Sequence, residues 1–168
     1  MKTFFIADPH FGHKAIISYE NRPFETAEEM DKEIINNWNR VVKQKDKIYL
    51  LGDFSFYKDD ITSEIVKKLN GIKYFILGNH DNSGVKKYYE MGFHRVYDYP
   101  VILDDFWILS HEPLYINENM PYANIFGHVH ANKQYTDYSS QSFCASVERI
   151  NYTPIEFDEI KKLMGVTS

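Results

Sequence analysis

The sequence predicts an α/β fold, because short apolar runs of strand length alternate with stretches whose apolar residues recur at helical spacing. The length of 168 residues suits one domain with its own core, so we expect a single domain over residues 1–168. The composition, with 43% hydrophobic and 26% charged residues, is that of a globular protein rather than a disordered chain.

Predicted strands and helices alternate in the first half of the chain. The helical signal is clearest over residues 28–42, where Met30, Ile34 and Trp38 fall on one face. Residues 8–24 are expected to form loops, and Pro23 argues against a long helix there. The predicted strands cover residues 3–7, 47–51 and 72–77, and the predicted helices cover 28–42, a short segment from Asp60 or Thr62 to Asn70, and 83–91.

The pattern changes after residue 93, where the apolar runs become shorter. Two of them flank the pair Asp104-Asp105, which predicts a hairpin over residues 101–109 and therefore an antiparallel pair of strands. Further strands are predicted over residues 124–126 and 143–147, and a closing helix is predicted over residues 157–164.

Five of the predicted strands end in small polar clusters. Taken alone, the cluster at residues 78–81 could be an ordinary polar turn, because Gly, Asn and Asp are common turn residues. Five of the seven histidines, however, lie at such strand ends, where α/β sheets place their ligands. The clusters are Asp8 with His10, Asp53, Asn79 with His80 and Asp81, His111, and His128 with His130.

The residue types at these strand ends predict a metal centre. Carboxylate, imidazole and amide groups without a thiolate suit Mn, Fe, Zn, Co or Ni, with manganese as the first choice, and hold too much nitrogen for calcium. Seven ligands are too many for one ion with an open position, so we expect two divalent ions roughly 3.5–4 Å apart, bridged by Asp53. The candidate ligands are Asp8, His10, Asp53, Asn79, His111, His128 and His130.

Charge and composition limit the partners. The net charge of −5 argues against a basic surface for long nucleic acids, whereas two bound divalent ions would leave the cleft positive by about two and attract phosphate. The sequence has no secretory signal and no apolar run near the ~20 residues of a membrane span. With a single cysteine, Cys144, the chain forms no internal disulfide, and we expect a cytoplasmic protein without a membrane partner.

The order of these motifs resembles the calcineurin-like metallophosphoesterase family. The motifs Asp-x-His, Gly-Asp, Gly-Asn-His-Asp, His and Gly-His-x-His run from Asp8 to His130, about three-quarters of the chain, and only Ser110 departs from the usual Gly. The resemblance implies a small single-domain member with a four-layer α/β/β/α sandwich of two mixed sheets flanked by helices. It also implies that Asp8, His10 and His130 hold one metal ion, that Asn79, His111 and His128 hold the other, and that Asp53 bridges them.

The resemblance further implies a phosphatase or phosphodiesterase, in which a hydroxide that bridges two metal ions attacks phosphorus. His80 would then act next to the leaving oxygen, and Asp81 would orient His80. The alternative is a non-catalytic metal-binding scaffold of the same fold, which lacks the catalytic histidine. The expected substrate is a small phosphate ester or a nucleotide, and a nucleic-acid end also fits a small open site.

Three residues before the first predicted helix are candidates for substrate binding. His13 could contact phosphate, brace His10, or lie in a surface loop. Asn21 and Arg22 could clamp phosphate, but a turn with a salt-bridged arginine is equally compatible with the sequence. Stacking on a nucleobase or packing against the fold are the two alternatives for four tyrosines, namely Tyr88, Tyr89, Tyr135 and Tyr138.

Overall fold

A computed structural model describes residues 1–117, 119–133 and 141–166, which form two mixed sheets and five α-helices. The strands are β1 (Thr3–Ile6), β2 (Lys47–Leu51), β3 (Ile72–Ile76), β4 (Arg95–Tyr97), β5 (Val101–Leu103), β6 (Trp107–Leu109), β7 (Ala123–Phe126), β8 (Ser142–Cys144) and β9 (Ile155–Glu156). The helices are α1 (Lys14–Tyr19), α2 (Ala27–Val41), α3 (Asp59–Lys68), α4 (Val85–Met91) and α5 (Phe157–Leu163), with a 3₁₀ turn at Val147–Arg149.

The first sheet brings three of the polar strand ends together. Its strand order is β4-β3-β2-β1-β9, in which β1 to β4 are parallel and β9 is antiparallel to β1. Ile6 pairs with Leu50 and Leu50 pairs with Phe75, so β1, β2 and β3 end side by side. The loops that follow them therefore leave the sheet at one edge.

The second sheet has the order β5-β6-β7-β8. The pairing of Ile102 with Ile108 confirms the predicted antiparallel hairpin, and β6, β7 and β8 are parallel. A bridge between Ala7 and Ser146 connects the ends of β1 and β8, which belong to different sheets. The carboxyl ends of both sheets consequently meet at one rim.

Two apolar layers hold this arrangement. On the outer face of the first sheet, Met30, Ile34 and Trp38 of α2 are fully buried, and the Thr26 hydroxyl caps this helix by accepting a hydrogen bond from the Glu29 amide at 3.1 Å. Between the sheets lies a second core, to which α5 adds Phe157 and Ile160; its fully buried sheet residues include Phe5, Leu51, Leu109 and Ile125. The α/β sandwich of two mixed sheets with helices is thereby confirmed.

Several short elements differ from the sequence prediction. The elements α1, β4 and β9 were not predicted, because two to six residues are too few for a periodic signal. The strand predicted over residues 143–147 ends at Cys144, since Ser146 pairs with Ala7 and Val147 begins the 3₁₀ turn. Helix α3 begins after Lys58 rather than at a cap by Asp60 or Thr62.

Candidate metal centre

The loops after the strands have an unusual backbone conformation. The angle φ is positive at Asp8 (57°), His10 (53°), Asp53 (51°), His128 (68°) and His130 (48°). A residue other than glycine adopts this conformation at a cost of order 1–3 kcal/mol, and it persists where the surroundings fix it. Five such residues at one rim indicate that the fold positions their side chains at the expense of backbone strain.

A first group of donors forms around Asp8. Ligand atoms of Asp8, His10 and His130 lie within 4.8 Å of one another. One carboxylate oxygen of Asp8 accepts hydrogen bonds from the His128 amide at 2.8 Å and the Ser146 hydroxyl at 2.6 Å. Within the described ranges, its other oxygen, Oδ1, and Nε2 of His10 are buried without a hydrogen-bond partner. Because buried polar atoms without partners are costly, these two atoms suit a bound cation.

A second group of donors forms around Asn79. Its side-chain oxygen lies 2.8 Å from Nε2 of His111 and 3.1 Å from Nδ1 of His128. Asp53 lies between the two groups, because its Oδ2 atom is 3.4 Å from Nε2 of His10 and 3.6 Å from Nε2 of His111. The structure therefore brings all seven predicted ligands together at the rim.

Outer contacts fix the orientation of two of the imidazoles. His111 donates from Nδ1 to the Leu51 carbonyl at 3.0 Å, which leaves Nε2 with a free lone pair. Nδ1 of His130 lies 3.1 Å from the Glu148 carboxylate. Contacts of this kind hold metal-binding histidines in one tautomer and one orientation.

The pKa values of Asp53 and His10 favour the protonation states that bind metal, whereas burial opposes the ionisation of Asp8. Burial raises the pKa of Asp8 to about 6, although His130 and His111 act in the opposite direction. Burial also favours the neutral form of Asp53, but the His10 and His111 imidazoles outweigh it and lower the pKa of Asp53 to about 2. Burial lowers the pKa of His10 to about 4. Near pH 7 the carboxylates are therefore charged and His10 is neutral, as metal ligands must be.

His80 lies at the open side of these groups. Its side chain is exposed, and its ring centroid is 5.9 Å from that of His10. Its backbone N–H donates to Oδ1 of Asp53 at 3.0 Å. The imidazole thus faces solvent beside the donor groups, at a place where a substrate can reach it.

Asp81 differs from its predicted role. Its buried carboxylate accepts hydrogen bonds from the backbone amides of Gly78 at 2.8 Å, Asp53 at 2.7 Å and Phe54 at 3.0 Å. Both oxygens are engaged by the backbone, so Asp81 joins the loops after β2 and β3 rather than orienting the His80 imidazole directly. Any influence on His80 passes through the loop that carries it.

Of the two alternatives for Arg22, the structure matches the salt-bridged arginine rather than the phosphate clamp. Its buried guanidinium forms an ion pair with Glu148 at 2.6 Å and donates to the backbone carbonyls of Asp8 and Pro9, each at 2.9 Å. These partners occupy the planar fork that would bind phosphate. Arg22 therefore stabilises the backbone of the Asp8 loop and the position of the Glu148 carboxylate.

The other two predicted substrate residues lie in different surroundings. His13 is half-buried, with Nδ1 3.2 Å from Nδ1 of His10, which corresponds to the alternative in which it braces His10. Asn21 is exposed in a turn with φ of 48°. Of the tyrosines, Tyr88 is buried and Tyr89 is exposed, whereas Tyr135 and Tyr138 lie outside the described residues.

Sequence reasoning missed Glu148, Ser146 and Phe56. Glu148 and Ser146 follow a short strand, and their partners at the site are far away in sequence. The bond from Arg22 to Glu148 spans 126 positions, and the bond from Ser146 to Asp8 spans 138. Phe56 resembles any aromatic residue in the sequence, yet its ring contacts three histidines of the rim. The position of Phe56, two residues beyond Phe54 and three beyond Asp53, is the only local signal.

The sequence matches a known family over most of its length. A model of the calcineurin-like phosphoesterase family matches residues 1–163. An uncharacterized protein of Methanocaldococcus jannaschii is 38% identical over 169 aligned positions, which cover 97% of the chain and 91% of that protein. The gene 66 protein of Mycobacterium phage L5 is 33% identical over 84 positions, which cover 47% of the chain and 39% of that protein.

Two solved structures have a similar fold. A protein of unknown function from Aquifex aeolicus superposes with a TM-score of 0.79 at 30% identity, covering 96% of the chain and 98% of that protein. A nuclease of Pseudomonas putida superposes with a TM-score of 0.51 at 21% identity, covering 76% and 61%, which bears on the fold alone. Within the described ranges, no helix combines the length and the apolar character needed to cross a membrane.

Proposed function

The chain belongs to the calcineurin-like phosphoesterase family, and on that premise we propose that it hydrolyses phosphomonoesters or phosphodiesters with the help of two divalent metal ions. The observation that carries the proposal is the pair of donor groups that meet at Asp53. Each group contains imidazole nitrogen and an oxygen donor, and the first holds two buried atoms without a hydrogen-bond partner among the described residues.

The donor set fits two transition-metal ions. Asp8, His10 and His130 would hold one ion, Asn79, His111 and His128 would hold the other, and Asp53 would contact both. The absence of thiolate favours Mn as first choice, with Fe, Zn, Ni or Co as possible replacements. When bound, such ions generate a nucleophile by lowering the pKa of water and neutralise charge on the phosphate oxygens.

The remaining residues have positioning and proton-transfer roles in this proposal. The exposed imidazole of His80 would protonate the departing oxygen, a contribution of typically ~10²–10⁴ in rate. Asp81 would hold the loops of Asp53 and His80 in register through its three backbone hydrogen bonds. Glu148 and Leu51 would keep His130 and His111 oriented toward the ions.

The proposal includes the substrate class and the location. The donor groups lie at a rim rather than in a closed cavity, since Asn79 and His80 are exposed, which suits a small phosphate ester, a nucleotide or a nucleic-acid end. A cytoplasmic location is part of the proposal, and the free, buried thiol of Cys144 supports it.

Turnover of two model esters tests the function. The protein is stripped with a chelator, dialysed, and assayed with an aryl phosphomonoester and a bis-aryl phosphodiester after addition of Mn or Ni. We expect metal-dependent release of the aryl alcohol from at least one ester, and loss of that release in Asp53→Asn. If neither ester turns over with either metal, the proposal fails and the scaffold alternative gains support.

A further inference from the structure

An exposed aromatic ledge, formed by Tyr19, His13 and Phe56, borders the candidate metal centre. Phe56 is 41% exposed and Tyr19 is 72% exposed. The Phe56 ring stacks on His13 with a centroid distance of 4.0 Å and an interplanar angle of 15°, and Tyr19 meets His13 edge-on at 6.3 Å. The ledge thus exposes the rings of Tyr19 and Phe56 to solvent, and the Phe56 ring contacts His10 of the candidate metal centre.

The position of Phe56 is fixed by its neighbours. Its backbone N–H donates to the Phe11 carbonyl at 2.8 Å, and the adjacent Ser55 pairs with Phe11 in a short bridge. Phe54, two residues earlier, points into the core and is fully buried. The chain bends at Phe56, directly after the bridge at Ser55, and the Phe56 side chain stays outside the core and is partly exposed.

The imidazoles around the Phe56 ring cover it only in part, since the residue is 41% exposed. Its centroid lies 5.1 Å from that of His10 and 4.0 Å from that of His13, and both rings are nearly parallel to it. The two imidazoles are 5.4 Å apart, which is too close for them to sandwich the phenyl ring. They consequently lie on the same side of Phe56. His80, at 5.1 Å, is tilted by 46° and does not stack on the ring. The exposed part of Phe56 can therefore receive a planar ligand.

We propose that the aromatic ledge binds the nucleobase of a nucleotide substrate while its phosphate group occupies the candidate metal centre. This inference rests on the proposed function, because it assigns the substrate class of that same site. The centroid of the Phe56 ring lies 5.1 Å from that of His10 and 5.1 Å from that of His80. A single nucleotide can therefore contact the ledge and the donor groups at the same time. Every nucleobase has a π-face, and stacking on an aromatic side chain is tolerant of base identity.

The test compares two phosphates that differ in the base. Calorimetry measures the dissociation constants of adenosine 5′-monophosphate and ribose 5-phosphate for the Mn-loaded protein. We expect adenosine monophosphate to bind about tenfold more tightly, the size of one base–aromatic stack. In Phe56→Leu, which keeps an apolar cover over the imidazoles but lacks a π-face, the two constants become similar through weaker binding of adenosine monophosphate alone.

Matched variants separate stacking from other effects. Tyr89→Leu removes a ring of similar exposure, 40%, from α4 and should leave the preference for the base unchanged. Phe56→Trp should retain or increase the preference, and it replaces Phe56→Leu if the latter does not fold. Quenching of 2-aminopurine riboside 5′-monophosphate by the wild type, and its loss in Phe56→Leu, reports stacking directly.

Three results would overturn the ledge as a base site. These are equal binding of the two phosphates by the wild type, equal weakening of both in Phe56→Leu, and no binding of adenosine monophosphate at millimolar concentration. None of these readouts requires turnover. If the protein prefers the base but hydrolyses neither model ester, the base site is supported and the proposed function is contradicted. If it hydrolyses an ester but shows no preference for the base, the proposed function is supported and the base site is contradicted.

Discussion

Oδ1 of Asp53 accepts a hydrogen bond from the backbone N–H of His80 at 3.0 Å. The other oxygen of the same carboxylate lies between Nε2 of His10 and Nε2 of His111, at 3.4 Å and 3.6 Å. One side chain therefore connects both donor groups to the loop that carries the proposed proton donor. Since the connection uses the backbone of His80, the imidazole is free to act on a substrate.

This geometry separates metal binding from turnover. His80→Ala keeps the backbone N–H, so we expect it to retain as much metal after dialysis as the wild type while its kcat falls by ~10²–10⁴. Asp53→Ala removes the oxygen shared by both groups and should lose metal. Elemental analysis and steady-state kinetics of the two variants check this, and a metal content in His80→Ala as low as in Asp53→Ala would contradict the role of His80.

The contact between Glu148 and His130 predicts a weaker metal site in Glu148→Gln. The carboxylate lies 3.1 Å from Nδ1 of His130, and loss of such an outer partner costs roughly 10–100-fold in metal affinity. Titration calorimetry with Mn measures the change. Glu159→Gln, on the exposed side of α5, is the matched control and should bind as the wild type does. Unchanged affinity in Glu148→Gln would show that His130 does not depend on this contact.

Metal affinity should fall in mild acid. Burial raises the pKa of Asp8 to about 6. At His130 burial lowers the pKa, but the Glu148 carboxylate and Asp8 outweigh this effect and raise it. Both groups bind metal only when deprotonated, so each competing proton lowers the apparent affinity by about tenfold per pH unit below its pKa. We expect a decline from pH 7 to pH 5 that approaches hundredfold per unit, with proton release on binding. Affinity that is flat over this range would contradict the assignment.

Arg22→Met distinguishes a structural arginine from a phosphate clamp. The guanidinium is buried and paired with Glu148, and breaking a buried pair typically costs about 3–5 kcal/mol of unfolding free energy. Urea unfolding should show this loss, while Arg40→Met, on the exposed side of α2, should change the value by less than about 0.5 kcal/mol. A fully stable Arg22→Met with greatly weakened inhibition by inorganic phosphate would restore the clamp.

The strand ends were predictable because their signal is local. Apolar runs that stop at Gly52, Gly78 and Gly127 show where chain leaves a sheet, and the residue types that follow indicate metal chemistry. The sequence also predicted the hairpin, since two short runs flank a turn. In each case the deciding interactions lie within a few residues.

The roles that the sequence missed depend on distant contacts. The sequence left Arg22 open between a phosphate clamp and a salt bridge, because its partner, Glu148, comes beside it only through the return of the chain after β8. Asp81 neighbours His80 in sequence, but its carboxylate accepts hydrogen bonds from the backbone amides of Asp53 and Phe54 in another loop. No local sequence pattern indicates which side chain will form hydrogen bonds with the backbone of a loop that is distant in sequence.

Gly78 illustrates how closely the two loops approach each other, and it supplies the last prediction. A Cβ atom at this position would overlap Oδ1 of Asp53 and would lie 2.6 Å from the backbone N of Asp53 and 2.9 Å from Cε1 of His111. Gly78→Ala must therefore displace Asp53, and we expect a loss of about 1–3 kcal/mol in unfolding free energy together with weakened Mn binding. Gly84→Ala is the matched control.

At Gly84, φ is +85° and a Cβ atom would meet nothing within 4 Å, so the substitution strains the backbone without touching the site. With ψ at 151°, this conformation is one that glycine adopts almost exclusively, so the substitution should cost roughly 1–3 kcal/mol and leave Mn binding unchanged. Denaturant unfolding and Mn titration of both variants separate the two effects, because only Gly78→Ala changes the metal affinity if Asp53 is the shared ligand. Equal Mn affinity in the two variants would mean that the close approach of these loops serves packing and not the metal centre.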